Sequence, residues 1–357
     1  MRRRPWSIAA GGLVLALLAG CSSSGGTAAP ASSAPSTAPA SVAAPASAAP
    51  SAAPSAAKQV TIGALYLDQN GFYGGIKKGI ETGAADLKLQ LLGNNSGGDA
   101  SKEAAFMSTL IGAKVDAIIM SPVSATASVP LVKQAFDAGI PVVCYNTCIN
   151  DADAQKYVKA LVTTDQVQMG TDVGDAAGDW FVAKGMTAPN IGILNCDVYE
   201  ACVQRKTGFK AALLKKVPGA KFVSDQEGFV LDKATQKATD MLTANPAIDA
   251  FYATTDNGAM GGIQGILATG HEGKSVVFGS DMSTPMANYL LTKPDILILT
   301  NGQTPQQMGA LAVQQALKAI NGEKIDNYLT ITPTHMYFAS KPDDVKTWQQ
   351  VHADGLP

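Results

Sequence analysis

Two periodicities alternate along most of this chain. Short unbroken apolar runs, rich in β-branched residues, have the character of strands buried on both faces. Between them, apolar residues return every third or fourth position, the spacing of one helix face. Residues 60–67 form the first run, 68–71 a turn and 72–87 the first helical stretch. A strand over 89–92 follows. Asp99 is placed to cap a helix over 102–111, because a short carboxylate can accept the free amide protons of a first turn. Strand 116–120 ends in Ser121-Pro122, helix 131–138 is stopped by Gly139, and strand 140–144 completes the run.

The same order returns after about residue 185. Strands are expected over 190–195, 221–224, 248–253 and 275–278, with helices over 203–214, 233–244 and 259–269. Strand–helix units at this spacing imply parallel sheets covered by helices on both faces. Two such runs with a break near 163–185 imply an α/β chain of two similar lobes, in keeping with about two domains for 357 residues.

Open parallel sheets bind ligands beyond the carboxyl ends of their strands. In order, the polar residues there are Asp68 to Asn70, Asn94 and Asn95, Ser121 and Ser124, Tyr145 to Thr147, Asn195 to Glu200, Thr254 to Asn257, Ser280 and Asp281, and Asn301 to Gln303. Amides, hydroxyls and carboxylates recur, with Phe72, Tyr73, Tyr145 and Tyr199 nearby. Each hydroxyl of a polyhydroxy ligand needs a donor and an acceptor, which such groups supply. Aromatic faces cover the C–H faces of such a ligand. The set therefore fits a small neutral polyhydroxy compound. Asp99, Asn245 and Asn257 read instead as cap or turn residues.

The first sixty residues break the pattern. Arg2, Arg3 and Arg4 precede an apolar stretch over 8–18, too short to remain as a bilayer-spanning helix. Leu18-Ala19-Gly20-Cys21 resembles a bacterial lipobox, which implies a signal peptide over 1–20 and a diacylglyceryl group on Cys21. Acyl chains anchor a protein to a membrane without spanning it. Residues 22–57 are only Ser, Gly, Thr, Ala, Pro and Val, and cannot offset the entropy of folding. Recurring prolines favour an extended course of about 3.1 Å per residue. The stretch 21–57 reads as a lipidated tether, rich enough in Ser and Thr to carry glycans. Losing three arginines with the leader moves the net charge from −2 to −5. With 27 basic against 29 acidic residues, a polybasic nucleic-acid surface is excluded as a first reading.

Seven segments, in their order, resemble the type I periplasmic binding proteins, in the ribose-binding group of ABC-transporter solute-binding proteins. They are residues 71–80, 115–122, 138–143, 205–209, 253–262, 277–281 and 303–309, within a resemblance covering about 58–340. The resemblance implies two Rossmann-like lobes joined by a three-strand hinge. Lobe 1 would hold 58–163 and 304–331, and lobe 2 would hold 165–302 and 332–357. Small and polar residues at the crossings can absorb dihedral change. By position, stacking aromatics fall on Phe72 and Tyr73, with Tyr145 beside them. The charged pair that sugar binders carry after the fourth strand falls on Asn146 and Thr147, a departure that points to a different ligand, such as a polyol. The ligand-contacting arginine falls near Val203 or Arg205, with a surface ion pair as the alternative for Arg205. The asparagine after the second lobe's third strand becomes Thr255, next to Asp256. The aspartate falls on Asp281 and the crossover glutamine on Gln303.

Four cysteines remain besides Cys21: Cys144, Cys148, Cys196 and Cys202. An even number in an exported chain implies disulfides, with three possible pairings. The local pairs Cys144–Cys148 and Cys196–Cys202 are expected, since each stays within one lobe. The spacing is not that of a zinc ribbon. The three histidines, His271, His335 and His352, form no HExxH, no GxSxG is present, and the glycine-rich 258–265 lies within a helical pattern rather than after a strand. No catalytic group, metal or cofactor is expected. The expectation is a monomeric, lipid-anchored, extracytoplasmic solute-binding protein, on the periplasmic or outer face of the cell membrane. It would bind a monosaccharide or polyol and meet an ABC permease and ATPase, with no nucleic-acid partner. The alternative is a sensory binding protein that presents its ligand to a membrane receptor or kinase.

Overall fold

The computed structural model describes residues 59–357; Cys21, the leader over 1–20 and the tether over 21–57 lie outside the described residues. In chain order, β1 (Thr61–Tyr66), α1 (Gly71–Asp86), β2 (Gln90–Asn95), α2 (Ala100–Gly112), β3 (Ala117–Met120), α3 (Val129–Asp137), β4 (Val142–Tyr145), α4 (Asp151–Tyr157) and β5 (Ala160–Thr164) come first. Next come α5 (Gln166–Ala183), β6 (Asn190–Asn195), α6 (Glu200–Lys216), β7 (Lys221–Glu227), α7 (Leu231–Ala244), β8 (Ala250–Ala253), α8 (Asp256–Thr269), β9 (Val276–Phe278), α9 (Thr284–Thr292) and β10 (Leu297–Gln303). The chain then runs through α10 (Pro305–Ile320), β11 (Leu329–Thr332), β12 (Thr334–Phe338) and α11 (Pro342–Val351).

Two six-stranded sheets result, ordered β11-β5-β4-β3-β1-β2 and β12-β10-β9-β8-β6-β7. The orders match strand for strand, so the two lobes repeat one topology. Every pairing is parallel except β12 on β10. The central strands β3, β4 and β8 are buried along their whole length, as expected of apolar runs covered on both faces. Of the edge strands, β2 is half-buried and β7 largely exposed, and both carry more polar residues than the central ones.

Side chains alternate across each sheet with a period of two. In β1, Ile62, Ala64 and Tyr66 point to one face, where α10 adds Met308, Ala312 and Val313, while Leu65 joins Met107 and Leu110 of α2 on the other. In the second lobe, Ile191 and Ile193 of β6 pack with Phe181 of α5 and Phe209 of α6, and Leu194 faces Leu242 of α7 and Ile263 of α8. Burying one such side chain contributes roughly 1.5–3 kcal/mol.

The stretch near 163–185, read from the sequence as a break, is the helix α5. Its glycines, Gly170, Gly174 and Gly178, recur every fourth position and lower the intrinsic helical signal. They are there for contact: a Cβ at Gly170 would overlap the Arg205 carbonyl, and one at Gly174 the Phe209 carbonyl. Backbone therefore lies against backbone where α5 meets α6.

The chain passes from one sheet's elements to the other's at β5–α5, β10–α10 and β11–β12. These passages are bonded to one another. The Thr164 and Thr332 hydroxyl oxygens lie 2.9 Å apart, and Thr304 Oγ1 donates to the Pro333 carbonyl at 3.1 Å. Among the described residues, no helix is long and apolar enough to cross a membrane.

Candidate functional site

The carboxyl ends of both sheets border one cleft. On the first lobe, Phe72 and Tyr73 open α1, with ring centroids 5.4 Å apart in an edge-on contact. Asn146 follows β4 in the left-handed region, φ 57°, and its side-chain amide donates to Tyr73 Oη at 2.9 Å. Thr147 Oγ1 lies 2.8 Å from Ser121 Oγ. Burial pushes the Tyr73 hydroxyl's pKa up, and Tyr199 of the β6–α6 loop is within electrostatic reach of it. Tyr199 itself meets Phe229 edge-on at 5.7 Å.

On the second lobe, Asp281 follows β9 and also has a left-handed backbone, φ 66°. Its place matches that of Asn146, because β9 and β4 are equivalent in the two sheet orders. One carboxylate oxygen accepts from Arg205 Nη1 at 2.6 Å, the other from Gln303 Nε2 at 3.0 Å. Arg205 also donates through Nε to Gln166 Oε1 at 2.7 Å and through Nη1 to the Thr254 carbonyl at 2.8 Å. Gln166 Nε2 approaches Gln303 Oε1 at 3.4 Å. Arg205, Asp281, Gln303 and Gln166 thus form a closed ring of polar side chains. Two of its members, Gln166 and Gln303, sit at crossings between the lobes.

The sequence leaves a surface ion pair as the alternative for Arg205. The residue is instead 5% exposed and sits behind Asp281. A charge this deeply buried has to be paired and hydrogen-bonded, and the ring does both. The close contact at Gly170 makes it possible, since it seats Gln166 of α5 beside Arg205 of α6.

Between the lobes lies a cavity of about 300 Å³. The first lobe supplies Asn70 and Phe72, the second Asp256, Asn257 and Asp281, and Gln303 comes from the crossing. Burial, followed by the neighbouring charge of Asp281, pushes the Asp256 carboxyl above its ordinary value of 3.8. Among the expected site residues, then, Phe72, Asp256, Asp281 and Gln303 share one cavity. Tyr73, Asn146 and Thr147 form the adjoining cluster on the first lobe, and Arg205 supports from behind. Thr255 caps α8, its hydroxyl accepting from Gly258 N at 3.1 Å.

Tyr145 departs from its expected stacking place. It is 1% exposed and belongs to the core face shared with Val143. As the last residue of β4 it follows the pleat, two positions on from Val143, and turns inward. Its hydroxyl donates to the Leu65 carbonyl at 3.1 Å and accepts from Leu67 N at 3.2 Å. Burial pushes its pKa up. It supports the end of β1 and does not face the cleft.

Disulfides join Cys144 to Cys148 and Cys196 to Cys202, with Cα atoms 5.4 Å apart in each. The first closes the turn holding Asn146 and Thr147, the second the loop holding Tyr199. Both therefore brace segments that border the cleft.

A family model described as periplasmic binding protein domain matches residues 64–324. The "ABC transporter periplasmic-binding protein YphF" of Escherichia coli (strain K12) is 39% identical over 304 residues, covering 85% of this chain and 92% of that protein. The chain belongs to the type I periplasmic binding proteins, in their ribose-binding group. The family binds solutes for ABC transporters outside the cytoplasm and does not transform them. A "xylitol-binding protein" of Mycolicibacterium smegmatis (strain ATCC 700084 / mc(2)155) is 28% identical, covering 83% of each chain. The solved structure of an Actinobacillus succinogenes 130z solute-binding protein, with bound D-allose, has the same fold. Its TM-score is 0.71 at 24% identity, over 80% of this chain and all of that one.

Two parts of this binding protein's site had little signal in the sequence. Gln166 closes the polar ring but starts α5, the helix whose glycines interrupt the sequence pattern. Residues 354–357, which the resemblance groups with the second lobe, reach the first lobe, and Gly355 and Pro357 line the cavity.

Proposed function

We propose that this chain is a lipoprotein, anchored through Cys21 and held off the membrane by the tether over 21–57. It binds a small neutral polyhydroxy compound, a monosaccharide or polyol, between its lobes and delivers it as a monomer to an ABC permease and ATPase. Lobe 1 comprises 58–163 and 304–331, and lobe 2 comprises 165–302 and 332–357, whose last four residues reach across to lobe 1. The observation that carries this reading is the cavity of about 300 Å³ between the lobes, walled by Asn70 and Phe72 from one and by Asp256, Asn257 and Asp281 from the other. Both carboxylate oxygens of Asp281 are already bonded within the protein. Each keeps a lone pair for a ligand hydroxyl, because a carboxylate oxygen can accept twice. Phe72 offers a face for the ligand's C–H groups. A relative named for xylitol and a fold neighbour holding D-allose agree with this ligand class. A ligand that touches both lobes shifts the population toward closure about the crossings.

A thermal-shift screen with sugars, polyols, amino acids and small amides tests the ligand class. A ligand at a hundred times its Kd stabilises by about 2.7 kcal/mol, so a true ligand stands out. A shift given only by amino acids or amides would overturn the reading. For the anchor, Cys21→Ser should move the protein from the membrane fraction to the soluble fraction.

A further inference from the structure

The last residues do not stay with the lobe that carries α11. Val345 and Trp348 bury that helix in the second lobe's core, and the Trp348 ring stacks on His352 at 4.6 Å. The chain then turns at Gly355, φ 77°, and lies on the first lobe. Asp354 pairs with Lys78 of α1 at 2.6 Å. Gln306 of α10 donates its side-chain amide to the carbonyl oxygens of Leu356 at 3.2 Å and Pro357 at 3.4 Å. The first turn of α1 leaves room for this segment. A Cβ at Gly75 would overlap the Pro357 carbonyl, and one at Gly74 would lie 2.8 Å from the Leu356 side chain.

The segment stands between two cavities. On one side is the space of about 300 Å³ that holds Asp256 and Asp281. On the other is a space of about 560 Å³ walled by Tyr337, Trp348 and His352, with Asp344 at its edge. Pro357 lines both, as do Gln303 and Pro305.

We propose that residues 354–357 form a strap that partitions the cleft and limits its ligand to one sugar ring or one small polyol. The inference rests on the cleft being the carbohydrate site. The ligand space lies at the small end of the roughly 300–1,000 Å³ usual for such sites. Without the strap it would open into the neighbouring cavity, whose aromatic faces and carboxylate suit a second sugar unit. The strap also ties the lobes, because α11 is fixed in one and residues 354–357 are seated on the other. Opening the cleft has to peel the strap off α1 and α10.

The test compares the full chain, a chain lacking 354–357, and Gly75→Ala, in which the added methyl expels the strap. Hydrogen exchange of the 349–357 segment, measured without ligand, should be at least about tenfold faster in Gly75→Ala than in the full chain. Equally fast exchange in both would overturn the strap. Calorimetry with D-ribose, D-allose, xylitol, maltose and lactose reads the partition. The full chain should bind a monosaccharide or polyol and reject both disaccharides. The shortened chain should bind that same ligand about tenfold more weakly, or ~1.4 kcal/mol, and admit a disaccharide. Unchanged affinity with unchanged rejection overturns the partition and leaves the binding reading standing. If no carbohydrate binds either chain, both fail.

Discussion

Removing Arg205 tests the ring that supports the cleft. Arg205→Met keeps most of the side-chain length and deletes the charge. Three acceptors then lose a donor: Asp281 Oδ2, Gln166 Oε1 and the buried Thr254 carbonyl. Removing one partner of a buried ion pair costs about 3–5 kcal/mol. The two neutral acceptors account for about 1 kcal/mol each of that loss. Urea unfolding should therefore show a loss of about 3–5 kcal/mol, with a melting temperature lower by roughly 6–10 °C for a protein of this size. Adding Asp281→Leu removes the stranded carboxylate and leaves only neutral groups unpaired, the two acceptors and the Gln303 side-chain amide. The double variant should recover about 2 kcal/mol relative to the sum of the singles. A single-variant loss below about 1 kcal/mol, or strictly additive effects, would refute the coupling.

Three further expectations follow from neighbouring positions. Tyr145→Phe strands the Leu65 carbonyl and the Leu67 amide, so urea unfolding should show a loss of about 1–3 kcal/mol, while ligand preference in calorimetry stays the same; altered preference at unchanged stability would put the ring in the cleft. Asp256 has a folded pKa raised by burial and by Asp281, so its ionised form opposes folding above the unfolded value and that opposition fades as pH falls. Asp256→Asn should accordingly raise the melting temperature at pH 7, with the gain disappearing below about pH 4; a gain that persists there would refute the electrostatic cause. Gly170→Ala pushes α5 off the Arg205 carbonyl and should cost about 1–3 kcal/mol of stability while weakening ligand binding in calorimetry, although residue 170 touches no ligand.

The strands most readily read from the sequence are those buried on both faces, β3, β4 and β8, where four apolar residues in a row leave little alternative. α5 was hidden because the glycines that let it touch α6 are the residues that weaken a helical pattern. Tyr145 shows the limit at strand ends: identity marks a candidate aromatic, but the pleat decides which way it points. Arg205 was ambiguous because nothing local distinguishes a surface arginine from one held behind a carboxylate 76 positions away. Gln166 and the strap have no local signature, since each acquires its role from a partner brought close only by the fold.

The first lobe is assembled from two stretches of chain with most of the second lobe, α5 to β10, between them. Its outer strand β11 and the helix α10 arrive only after β10. A nascent chain that has reached Thr164 lacks Met308, Ala312 and Val313, which cover one face of its sheet. Synthesis at about 5–20 residues per second leaves that face open for roughly 8–34 s before Thr332 emerges. Pairing β11 with β5 then closes a long loop, which slows folding further. The strand order therefore keeps the chain unfinished while it is being made, and an unfinished chain can still be threaded to the far side of a membrane.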